Sequence, residues 1–183
     1  MSYIRLHIME FLYALHRLDI RLFGAVFRRS DRRLVRQIAR SLSRSADGYL
    51  YVLIPALLWA AGAPDIPRLV LLLVTALAVE RALYWLLKNG LRRRRPQDFM
   101  PDFRGLIVAA DKFSFPSGHT SGAFLLATAL AVVYQTPALA MYLWAASVAL
   151  SRVVLGVHYP GDTLAGALMG GSIALVVGTQ VTL

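Results

Sequence analysis

Residues 151–162 read Ser-Arg-Val-Val-Leu-Gly-Val-His-Tyr-Pro-Gly-Asp and join two long apolar runs, about 138–156 and 160–181. A cation (Arg152), an imidazole (His158) and a carboxylate (Asp162) fall within this one connection. His158 and Asp162 are four apart, so a single helical turn brings the carboxylate beside the ring. A carboxylate on one imidazole nitrogen selects the tautomer and leaves the other nitrogen to attack or to take a proton. The flanking runs are long enough for membrane-crossing helices. The stretch therefore marks a charged connection at one end of a helical bundle.

The composition agrees. The chain has 183 residues, room for one domain, 1–183, with an amphipathic and basic region at 1–47 and a helical bundle carrying the site at 48–183. It is 57% hydrophobic and 16% charged, with a mean hydropathy of +0.56, too apolar for an ordinary soluble domain. It has no cysteine, which excludes disulfides, thiolate catalysis and Cys-based metal sites. The formal charge is +10 and most of the cations are Arg. In so apolar a chain this favours anionic head groups or phosphate over nucleic acid. The run Arg28 to Arg44 has no interleaved aromatic platform for bases.

Five spans are expected, at about 48–62, 67–88, 116–134, 138–156 and 160–181. Residues 3–27 have one-sided apolar spacing broken by charges, which predicts an amphipathic helix lying in the interface, with His7 and His16 solvated. No cleavable signal is read there. Residues 28–44 are expected to face lipid head groups. The fold class is all-α, a polytopic membrane bundle of about five transmembrane helices with that interfacial helix in front. Glu80 and Arg81 lie inside the second span and are expected to face the interior, Glu80 either as a paired structural charge or as a support for the site. Glu80, Tyr84 and Lys88 form one stripe. Residues 92–115, with Asp98, Asp102 and Asp111, read as a loop with one short helix. Gly166, Gly170, Ala174 and Gly178 make a small-residue stripe for close packing inside the bundle.

Two further blocks accompany the first: Lys88 followed by Arg95-Pro96, and Pro116-Ser117-Gly118-His119. Two crossings separate His119 from Arg152, so all three blocks emerge on one face. Together they read K-x6-R-P, P-S-G-H and S-R-x5-H-x3-D, over Lys88 to Asp162. This pattern resembles the type 2 phosphatidic acid phosphatase superfamily. The resemblance implies His158 as the nucleophile on phosphorus, Asp162 as its orienting partner and His119 as the acid for the leaving oxygen. It implies Lys88, Arg95, Ser117, Gly118 and Arg152 as the phosphate-binding set. Of the four-Arg run only Arg95 matches the motif, so Arg92, Arg93 and Arg94 are expected to be solvated or lipid-facing. The soluble haloperoxidase branch of the superfamily holds vanadate in this pocket, and the apolar spans argue against that branch.

No metal-ligand spacing is apparent, so catalysis without a metal or other cofactor is expected. The substrate class is a lipid phosphate or isoprenyl diphosphate: phosphatidic acid, phosphatidylglycerol phosphate or undecaprenyl diphosphate. The alternatives are a phosphotransferase using the same phosphohistidine chemistry, and a non-catalytic anion-binding membrane protein. The expected partners are the bilayer and its lipid, not nucleic acid, in a multi-pass cell-membrane protein; oligomeric state is not encoded. Basic residues crowd the side of the N-terminus and the site, which favours a cytoplasmic site if residues 3–27 do not cross.

Overall fold

The structure, a computed structural model, describes residues 3–28, 32–100, 103–109 and 111–181. Every element among these residues is helical: α1 (Tyr3–Phe27), α2 (Arg33–Ser45), α3 (Leu50–Ala60), α4 (Ile66–Leu91), α5 (Pro96–Phe99), α6 (Gly118–Tyr134), α7 (Ala140–Val154) and α8 (Pro160–Gln180), with a 3-10 turn at Thr136–Leu139. The five expected spans fall on α3, α4, α6, α7 and α8, and the short helix of the 92–115 loop is α5. Helices α4 and α8 are long and apolar enough to cross a bilayer; α3, α6 and α7 are shorter apolar helices of 11, 17 and 15 residues.

Helix α6 is the centre of the bundle, packed along α8 and against α4 and α7. Its residues are mostly Ala, Gly, Ser, Thr and Leu, and small side chains let neighbouring backbones approach. Leu125, Leu126, Ala129 and Leu130 meet Leu69, Leu72, Leu73 and Ala76 of α4 and Ala174 of α8 in one buried cluster. The small-residue stripe of α8 lies on α6. A Cβ at Gly166 would come within 2.5 Å of Ser117 O, and one at Gly170 within 1.9 Å of Ser121 O. Outward-facing positions are apolar as well: Trp59 on α3, Val74 and Trp85 on α4, Leu143 on α7 and Leu168 on α8 are all exposed. Apolar faces on this scale are covered by lipid.

Helix α1 does not run parallel to this bundle over its second half. His16 packs edge-on to Phe99 and Tyr159, and Phe27 packs against Phe103 and beside Gly156. All these partners lie in or next to the connections at one end of the bundle. Three turns of α1 therefore lie across that end. Helix α2 packs on α7 at the same end.

Candidate active site

Helix α4 ends at Arg92, whose left-handed backbone (φ 49°) turns the chain across the end of the bundle. Residues 92–95 are then non-helical, and Arg95 is extended before Pro96, which opens α5. In this segment side chains alternate: Arg92 and Arg94 are exposed, while Arg93 and Arg95 turn inward. Arg95, 2% exposed, donates through Nη1 to Val157 O at 2.5 Å and through Nε to Asp111 O at 3.0 Å. Its Nη2 pairs with Asp111 Oδ1. Lys88, on the last turn of α4, donates to Tyr84 Oη at 2.7 Å and to Asp111 Oδ2 at 2.9 Å. Tyr84 donates to that same carboxylate. Lys88 and Arg95, with their neighbours, hold the Asp111 carboxyl at about 2 despite its partial burial. Asp111 thus occupies the cations that the motif assigns to phosphate.

His158 sits in the α7–α8 connection, 2% exposed, with Nε2 3.5 Å from Arg95 Nη1. Its Nδ1 is 3.7 Å from Asp162 Oδ2, too far for a hydrogen bond, so the carboxylate acts on the ring as a charge. Asp162 is on the first turn of α8 and is fully buried; its Oδ2 accepts the Tyr159 N–H at 2.9 Å. Burial pushes the imidazole down to about 4, with Arg95 and Arg152 pushing the same way and Asp162 opposing. The ring is therefore neutral at physiological pH, the form that attacks. Arg152, 5% exposed at the end of α7, donates to Ser43 Oγ of α2 at 2.5 Å, while its buried Nε has no hydrogen-bond partner among the described residues.

His119 is on the first turn of α6, with Nε2 2.9 Å from Asp47 Oδ1. It lines a cavity of about 440 Å³ with Asp111, Tyr84, Gly118, Arg81 and Tyr51. The structure therefore brings Lys88, Arg95, Gly118, His119, Arg152, His158 and Asp162 to one end of the bundle. Ser117 is placed there too. Its hydroxyl pairs with Thr120 Oγ1 at 3.0 Å and its N–H donates to Asp162 O at 3.0 Å, so it ties α6 to α8. Gly118 packs on Tyr84; a Cβ there would lie 2.9 Å from the ring.

Three expectations need correction. Arg93 is neither solvated nor lipid-facing: Nη1 donates to Asp162 Oδ1 and Nη2 to Asp19 Oδ2, both at 2.6 Å, and its guanidinium lies over the Tyr159 ring. His16 is half-buried, with Nδ1 3.3 Å from Arg93 Nη2, whereas His7 is exposed beside Glu10 as expected. Glu80 is fully buried and paired with Arg81, but the Arg81 side chain is half exposed, lining the cavity instead of the interior. Sequence reasoning also missed Ser43, Asp47, Asp19 and Asp111. The first three come from the region before residue 48, which contributes to the site rather than merely preceding it. Only Arg93 had a local signal, since an extended residue before Pro96 puts residues two apart on one side.

The helical bundle carries apolar outward faces and a set of buried cations at one end. The profile of the PAP2 superfamily matches residues 69–182, and the chain belongs to that superfamily. The decaprenylphosphoryl-5-phosphoribose phosphatase of Mycobacterium tuberculosis is 33% identical over 147 residues, 76% of each chain. The lipid A 1-phosphatase of Rhizobium etli is 37% identical over 111 residues, 57% of this chain and 47% of that one. The crystal structure of Aquifex aeolicus LpxE superposes with a TM-score of 0.75 at 25% identity, over 87% of this chain and 94% of that one.

Proposed function

We propose that the chain removes a phosphate from the head of a membrane lipid by way of a phosphohistidine on His158. The observation that carries this is the contact between Arg95 Nη1 and His158 Nε2, 3.5 Å, inside a buried set of cations that includes Lys88 and Arg152. An anion bound by these groups has its phosphorus beside a neutral ring nitrogen. The names of the relatives share a phosphorylated lipid and differ in the rest of it, among them phosphatidylglycerophosphatase B of Bacillus subtilis and a putative undecaprenyl-diphosphatase of Escherichia coli. A lipid phosphate monoester or diphosphate fits both the cations and the apolar surroundings.

In this mechanism the phosphate displaces the Asp111 carboxylate from Lys88 and Arg95. His158 Nε2 then forms a bond to phosphorus as the bond to the lipid oxygen breaks, and His119 gives that oxygen its proton. Arg95, Arg152 and Lys88 stabilise the charge that builds on the equatorial oxygens. The Asp162 charge favours the positive imidazole as it forms. Water next attacks the phosphohistidine, giving its proton to His119, and inorganic phosphate leaves with both histidines restored.

The test is purified protein in detergent against a panel of lipid phosphates, with inorganic phosphate measured. Release from at least one lipid is expected, and His158→Ala should lower it by on the order of 10⁶. Transfer of the phosphoryl group to a second lipid without phosphate release would identify a phosphotransferase instead. A His158→Ala enzyme that keeps substantial activity would overturn the mechanism.

A further inference from the structure

Asp162 makes its longest contact with the residue it is meant to orient. Oδ2 stands 3.7 Å from His158 Nδ1, while Oδ1 accepts from Arg93 Nη1 at 2.6 Å. The other end of the Arg93 guanidinium donates to Asp19 Oδ2 at 2.6 Å, and Asp19 Oδ1 accepts the Gly161 N–H at 2.7 Å. Asp19 and Asp162 are both buried. A carboxylate on α1, a guanidinium from the α4–α5 connection and the carboxylate on α8 thus form one chain behind the site. The Tyr159 ring lies under the guanidinium at 4.3 Å.

We propose that Arg93 and Asp19 are positioning residues of the reaction, acting through Asp162 on His158, so that the seating of α1 enters catalysis. The proposal rests on His158 being the nucleophile, as argued above. Two physical points support it. Arg93 fixes the rotation of the Asp162 carboxylate, because one oxygen is held by the guanidinium and the other by the Tyr159 N–H. Asp19 in turn shares the Arg93 charge. A lone guanidinium on Asp162 would cancel much of the negative charge that His158 requires as it becomes cationic; one divided between two carboxylates cancels less.

A structural staple and a positioning chain both lower activity when cut, but they differ in the pH profile. The groups facing His158 are Asp162, Arg95 and Arg152. Those facing Arg93 are Asp19 and His16 from α1 and Asp162 and Tyr159 from the α8 side, with Asp98 of α5 acting on Tyr159. In Arg93→Ala the Asp162 charge faces His158 without its cation, so the acid limb of kcat/KM moves to higher pH. In Asp19→Asn the Arg93 charge falls undivided on Asp162, so the limb moves to lower pH. Opposite movements from the two ends of one chain do not arise from loosened packing.

The experiment measures kcat, KM and the acid limb with a soluble phosphate monoester, for wild type, Arg93→Ala, Arg93→Lys, Asp19→Asn, Arg94→Ala and His158→Ala. Arg93→Ala should lose about 10²-fold in kcat, the cost of a misplaced reacting group, with KM changed by less than about 3-fold. Arg93→Lys should recover part of the loss, and Arg94→Ala should match wild type. A folded Arg93→Ala protein with wild-type kcat and acid limb would sink the proposal. If that variant does not fold, an unmoved limb in folded Asp19→Asn protein would sink it equally. An active His158→Ala enzyme would remove the underlying mechanism instead, so the two failures are distinguishable.

Discussion

Arg95 and Arg152 are buried close to one another, and two desolvated cations in one site cost free energy that an anion recovers. Asp111 supplies that anion to Arg95 and Lys88. Arg152 has no ion pair among the described residues; its contact is the Ser43 hydroxyl. Both arginines therefore have charge to give to a phosphate, and more to give as the transition state gathers charge. Arg95→Ala and Arg152→Ala should each lower kcat/KM by about 10²–10³. Exposed Arg94 provides the control, with activity near wild type. The His158 imidazole has its own consequence. Burial, aided by Arg95 and Arg152, holds it at about 4 against the pull of Asp162, below the ordinary 6.5. The neutral ring attacks and the protonated ring does not, so the acid loss follows the depressed value. The acid limb of kcat/KM on a soluble ester should therefore lie near 4, with the alkaline limb set by loss of the proton that His119 must carry. A midpoint near 6.5 would mean that the ring titrates as if solvated.

At the scale of elements, the site depends on how closely α8 meets α6. Asp162 lies one helical turn before Gly166, and a Cβ at Gly170 would stand 1.9 Å from Ser121 O, a backbone atom that cannot swing aside. Gly170→Ala should force the helices apart and destabilise the protein by about 1–3 kcal/mol, the usual range for overpacking. The neighbouring Gly171 would meet only Thr128 Oγ1 at 3.5 Å, so Gly171→Ala should be tolerated. Thermal unfolding in detergent separates the two; equal melting temperatures would contradict the packing. This stripe was readable from spacing, as were the five apolar helices and the three motif blocks, because each is a local pattern in the chain. The partners of those blocks were not. Asp19 reaches Arg93 across 74 positions and Asp47 reaches His119 across 72. Nothing in the local sequence of a lone Asp before a helix, or inside one, reveals which distant cation it meets. The contacts of Ser117 with Thr120 and with the Asp162 carbonyl were equally illegible, because only the packed helices create them.

The whole molecule has one charged end and one plain end. Arg152 reaches Ser43 and His119 reaches Asp47, so the C-terminal end of α2 and the α2–α3 connection lie on the face of the site. The second half of α1 lies across that face too. The Arg residues of the second half of α1 and of α2, with Arg92 to Arg95, are therefore concentrated toward the site end of the molecule. Helix α3 starts beside His119 and runs away from it, so Ala61 marks the far face, where the Tyr134 hydroxyl donates to Pro64 O. That turn carries only Asp65 and Arg68 as charges. An excess of Arg at short connections favours that end inside the cell, and a labelling experiment tests which face carries the site. Because the chain has no cysteine, single cysteines report their own side without background. Lys112→Cys, exposed near the site, should react with a membrane-impermeant maleimide only after bacterial cells expressing the protein are permeabilised. Ala61→Cys should react in intact cells. The reverse pattern would put the site on the outer face, and the arginines would then have to be held there by something stronger than the charge rule.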